Sequence, residues 1–98
     1  MNHWEFPINT PTHTAPTATV TSGELLAAGV RQYVLLVNDG SVDVWLKLGA
    51  TAVAHQGILL AANGGFYELS PVHGNMYHGA INGITASGTA VVLVTVGA

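Results

Sequence analysis

Residues 42–48 carry the clearest pattern in the chain. Val42, Val44, Leu46 and Leu48 alternate with Asp43, Trp45 and Lys47. A period of two places the aliphatic side chains on one face of an extended strand and the other three on the opposite face. The aliphatic face is expected to be core. Trp45, between two charges on the wetter face, is expected to contact a partner rather than to be buried. Upstream, residues 32–38 (Gln-Tyr-Val-Leu-Leu-Val-Asn) form a second strand, apolar enough that both of its faces are expected to be covered. Between the two, Asn38-Asp39-Gly40-Ser41 is expected to be a hairpin turn in which glycine supplies a positive φ.

The β pattern continues on both sides. Residues 17–22 (Thr-Ala-Thr-Val-Thr-Ser) predict a first strand. Residues 23–29, around Glu24 and Leu25, are bounded by glycines and predict at most a single helical turn. Further strands are expected at 51–55, 57–62, 65–70, 77–85 and 89–96. Asn63-Gly64-Gly65 and Ser87-Gly88 punctuate them. About seven or eight short antiparallel strands imply an all-β domain, a small β-sandwich or jelly-roll-like barrel. A length of 98 residues suits one such domain.

The first sixteen residues differ. Pro7, Pro11 and Pro16 lie among threonines, and proline removes a backbone donor and disfavours helix in the residue before it. The chain therefore divides into an extended Pro/Thr-rich arm, 1–16, and a β-sandwich domain, 17–98. Trp4, Phe6 and Ile8 stand at i, i+2 and i+4, so they face one way in an extended arm. They are the expected anchors on a neighbouring subunit.

Charge changes the picture most. Charged residues make up 7% of the chain, against about 25% in ordinary domains. Arg31 and Lys47 are the cations, set against Glu5, Glu24, Asp39, Asp43 and Glu68. Two cations cannot neutralise a row of phosphates or anchor a membrane surface, so neither nucleic acid nor membrane is an expected partner. One lysine cannot guard the edges of a sheet. The edges are therefore either very short or covered by another chain. The residues from Met1 to Phe6 have neither the positive start nor the apolar segment of a signal peptide, and no run approaches the roughly 20 apolar residues of a membrane span.

Chemistry finds little to stand on. There is no cysteine. His3, His13, His55, His73 and His78 show no metal-ligand spacing, so loop or interface imidazoles are expected and no metal or cofactor. The serines lie at strand ends and turns, and no GxSxG elbow occurs. No glycine cluster precedes a helical pattern able to hold a phosphate. The expectation is a protein that is not an enzyme, with no catalytic residues. Trp4, Trp45, Tyr33, Tyr67 and Tyr77 could together line a sugar-binding face, although aromatic enrichment at protein interfaces explains them more simply.

One resemblance rests on four segments. Arg31-Gln32-Tyr33-Val34-Leu35-Leu36-Val37-Asn38-Asp39-Gly40-Ser41 resembles a pattern common in small bacteriophage virion proteins, an Arg and an apolar strand leading to an Asn-centred turn. Val42-Asp43-Val44-Trp45-Leu46-Lys47-Leu48-Gly49 is similar to the arm that follows. Gly57-Ile58-Leu59-Leu60-Ala61-Ala62-Asn63-Gly64-Gly65-Phe66-Tyr67-Glu68-Leu69 and Ala80-Ile81-Asn82-Gly83-Ile84-Thr85-Ala86-Ser87-Gly88-Thr89 resemble its later segments. The likeness covers residues 31–96 and is strongest to capsid decoration, or cement, proteins. It implies a structural virion component on the capsid exterior, a homotrimer that binds the major capsid protein and lends its N-terminal arm to neighbours. The same resemblance extends to tail, baseplate and head-fibre domains, for which Trp45 and the tyrosines would meet host-surface glycan.

Overall fold

The computed structural model describes residues 11–71, 74 and 76–97. These form nine strands and no helix: β1 (Thr12–Thr14), β2 (Thr17–Ala18), β3 (Gly23–Leu26), β4 (Tyr33–Asn38), β5 (Val44–Leu48), β6 (Ile58–Leu60), β7 (Phe66–Leu69), β8 (Ile81–Thr85) and β9 (Ala90–Gly97). All pairings between strands are antiparallel. One sheet runs β1-β9-β4-β7, with β2 also paired to β9; the other runs β3-β8-β5-β6. The fold is thus all-β in two sheets. Six of the eight strand-to-strand connections pass from one sheet to the other; only β1 to β2 and β5 to β6 stay within a sheet.

Alternation explains the core. Val34 and Leu36 of β4, Val92 and Val94 of β9 and Leu69 of β7 point inward from the first sheet. Val44 and Leu46 of β5, Leu60 of β6, Ile81 of β8 and Leu25 of β3 meet them from the second. Each such side chain, fully buried, contributes ~1.5–3 kcal/mol from lost apolar hydration.

Several expectations change. Residues 23–26 make a strand instead of a helical turn. Pairing with β8 satisfies the backbone, and a bulge between Glu24 and Leu26 accompanies the burial of Leu25 between the sheets. Residues 51–55 form no strand; they turn, with His55 at φ 66°, and carry the chain back from β5 to β6. The strand expected from Thr17 ends at Ala18, and the one expected from Tyr77 starts only at Ile81. One face of β4 is buried, but Tyr33, Leu35 and Val37 on the other are only half-buried.

The segment 38–41 is not a hairpin. β4 and β5 lie in different sheets, so the chain arches between layers there. Asn38, 0% exposed, organises the arch. Its side-chain amide donates to the carbonyls of Val42 (2.8 Å) and Leu60 (3.0 Å), and its Oδ1 accepts from the Gly40 N–H (2.8 Å). Gly40 does not adopt the expected positive φ. Close approach requires the glycine instead, because a Cβ there would lie 2.5 Å from the Cβ of Ala90. Left-handed backbone occurs in the next arch, at Asn63 (φ 62°) and Gly64 (φ 112°), whose N–H groups donate to the Gly40 and Asn38 carbonyls.

The edges are short. β6 has three residues, β7 and β3 four each, and the β1/β2 edge is interrupted at Ala15 and Pro16. That is the first of the two solutions to low edge charge. Thr12–Thr14, within the stretch expected to be an arm, pairs with Val94–Val96 of the same chain. Trp4, Phe6 and Ile8 lie outside the described residues.

Candidate functional site

The outer faces of the two sheets carry the candidate functional side chains. On the first sheet, register places Leu93 of β9 opposite Val37 of β4, and Val37 opposite Phe66 of β7. An apolar row thus crosses three strands, with Leu35 and Val91 beside it. Phe66 is 68% exposed and Leu93 41%. A cavity of about 330 Å³ adjoins Leu93, lined also by His13, Thr14, Ala15, Val94 and Thr95. Further along β4 and β7, beside Leu35, lies a polar pair. The Tyr33 hydroxyl donates to Glu68 Oε2 at 2.5 Å, and this bond, with burial and the carboxylate's charge, pushes the phenol up to about 12.

The second sheet presents Trp45. It faces outward between Leu59 of β6 and Ile84 of β8. The turn that joins β5 to β6 lays the His55 ring against its indole, with ring centroids 4.3 Å apart and planes tilted by 54°. A cavity of about 290 Å³ lies at one end of Trp45, lined by Ser41, Val42, Asp43, Ala86 and Ser87. A smaller one, about 180 Å³, is lined by Lys47, Thr51, Val53, Gln56 and Gly57. Asp43 Oδ1 accepts the Ala62 N–H at 2.8 Å.

Of the five aromatic residues considered for a sugar face, the four that are described do not come together. Tyr67 and Tyr77 pack against the core. Tyr33 lies on the outer face of the first sheet, Trp45 on that of the second, and Trp4 lies outside the described residues. The histidines separate too. His13 Nδ1 is 3.0 Å from Thr95 Oγ1, the His55 ring lies tilted against Trp45, and His78 Nε2 is 3.1 Å from the Arg31 carbonyl. Among the described residues no three of His, Cys, Asp and Glu converge as a metal site; His3 and His73 lie outside them.

Arg31 is structural. It is 4% exposed, and its guanidinium donates to the carbonyls of Ala27, Gly29, Tyr77 and Gly79 at 2.7–3.3 Å. Desolvation lowers its pKa from the ordinary value. The side chain binds the β3–β4 connection to the approach to β8.

The apolar row of the first sheet was not singled out in the sequence. Its signal was the unbroken run Ala90-Val91-Val92-Leu93-Val94, which leaves apolar side chains on both faces of β9. The chain matches no protein-family model, no curated protein and no solved structure.

Proposed function

We propose that this chain is a structural, non-catalytic module that works by association: a capsid decoration protein, assembled as a homotrimer on the exterior of a virion and bound to the major capsid protein. The observation that carries the reading is the Leu93–Val37–Phe66 row, an apolar strip left in water on a protein with 7% charged residues. Exposed apolar patches on so weakly charged a surface favour covering by protein. The virion setting rests on the resemblance of residues 31–96. A jelly-roll arrangement fits it: the orders β2-β9-β4-β7 and β3-β8-β5-β6, with chain crossings between them, support that finer description of the two sheets. In this reading Trp4, Phe6 and Ile8 add anchors from the N-terminal segment on a neighbouring subunit.

Sedimentation of the full chain tests the association. A trimer at micromolar concentration is expected, and Leu93→Lys with Phe66→Lys should yield folded monomers by circular dichroism. A wild-type protein that stays monomeric at about 100 µM refutes the proposal. Antibody detection in gradient-purified particles, beside the major capsid protein, tests the virion setting.

A further inference from the structure

We infer that the outer face of the second sheet is a binding site for a neutral saccharide, centred on Trp45 and independent of the association face on the first sheet. Three observations combine. Trp45 is a large aromatic on a sheet face, not a core residue: it is half-buried, in register between Leu59, 51% exposed, and Ile84. His55 is laid against the indole by a turn with left-handed backbone, so the ring is held in one orientation. Beside the ring lies the cavity of about 290 Å³, lined by Ser41, Val42, Asp43, Ala86 and Ser87, three of which carry short polar side chains.

These groups match one ligand chemistry. A pyranose has an apolar face of C–H groups and an equatorial rim of hydroxyls. The first packs on an indole, whose aromatic body is apolar. The second needs short polar side chains at the ring's edge. Asp43 lines the cavity, is steadied by the Ala62 N–H that its Oδ1 accepts, and as a carboxylate is an acceptor for a sugar hydroxyl. Ser41 and Ser87 can both donate and accept. The volume suits one monosaccharide unit and little more. The charged residue lining this cavity is Asp43, which repels an acidic sugar and favours a neutral one; Lys47, on the same face, lines a different cavity.

The test uses the full chain and saturation-transfer NMR with methyl glycosides of glucose, galactose and N-acetylglucosamine, and methyl glucuronide as the charged comparison. At least one neutral glycoside is expected to bind saturably at millimolar concentration, and the glucuronide at least fivefold more weakly. Trp45→Ala should abolish the signal and Asp43→Asn weaken it about tenfold, while Phe66→Lys, on the opposite sheet, leaves it unchanged. Circular dichroism of each variant separates lost binding from lost folding, and Asp43→Asn decides the matter if Trp45→Ala unfolds. No saturable binding by any neutral glycoside, or binding that survives both variants, overturns the site. Because Phe66→Lys disrupts association but not this face, failure here and failure of the structural role are told apart.

Discussion

Asn38 and Leu60 belong to opposite sheets, and the Asn38 side-chain amide reaches the Leu60 carbonyl across the gap at 3.0 Å. With the bonds to Val42 and Gly40, that one buried side chain joins two arches. Asn38→Ala leaves the half-buried Gly40 N–H and the carbonyls of Val42 and Leu60 without this partner. At about 1–3 kcal/mol for each group orphaned, a loss of ~3 kcal/mol is expected, or a fall in Tm of about 12 °C or more for a domain of this size. Asn38→Asp should be worse, because it places acceptor against acceptor. Thermal unfolding followed by circular dichroism measures both.

Arg31→Lys keeps the charge and loses the fork. An ammonium cannot span the carbonyls of Ala27, Gly29, Tyr77 and Gly79 together. A destabilisation of ~2 kcal/mol is expected, since bonds to a charged donor contribute about 1.5–3 kcal/mol each and lysine retains some of them. The check is the urea midpoint, which should fall at an unchanged m value.

Tyr33 makes stability depend on alkaline pH. Its phenol is held up at about 12 by the bond to Glu68, above its ordinary value of 10.0. The folded protein therefore holds this proton more tightly than the unfolded chain. The resulting stabilisation is complete below pH 10 and is lost as the pH rises from 10 through 12. Absorbance titration near 295 nm should show one late tyrosine, absent from Tyr33→Phe. Glu68→Gln should bring its midpoint back toward 10.

Gly40→Ala should cost about 1–3 kcal/mol, the usual range for overpacking. The added methyl would meet the Cβ of Ala90 at 2.5 Å. The backbone at Gly40 is not left-handed, so the clash is the whole of the expected effect. The Ala90 Cα would also lie 2.7 Å away, so Ala90→Gly in the same chain should restore only part of the loss. A double-mutant cycle with no coupling between the two sites would show that the contact is not what requires glycine.

Strand alternation was legible where one face is polar. Val42–Leu48 gave β5, its buried Val44 and Leu46 and the outward Trp45, because Asp43 and Lys47 mark the wet side. β9 was legible as a strand, but not which of its faces is wet, because apolar residues occupy both. The arch at Asn38 was legible as a turn but not as a crossing between layers; an Asn-Asp-Gly sequence serves either, and the choice depends on Ala90 and Leu60, far away in the chain. Leu25 was read as part of a helical turn because local spacing cannot register its pairing partner, Ile81's strand, more than fifty residues on. As for the site, Trp45 stood out from its charged neighbours, whereas His55 could be joined to it only by the course of the intervening turn.

β9, the last strand in the chain, lies between β4 on one side and β1 and β2 on the other. During synthesis β1 and β2 therefore emerge with nothing to zip against, and although β4 can pair with β7, the first sheet is not complete until residues 90–97 have been made. A ribosome that stalls before Ala90 releases a chain whose first sheet lacks its central strand and leaves sticky inner surfaces bare.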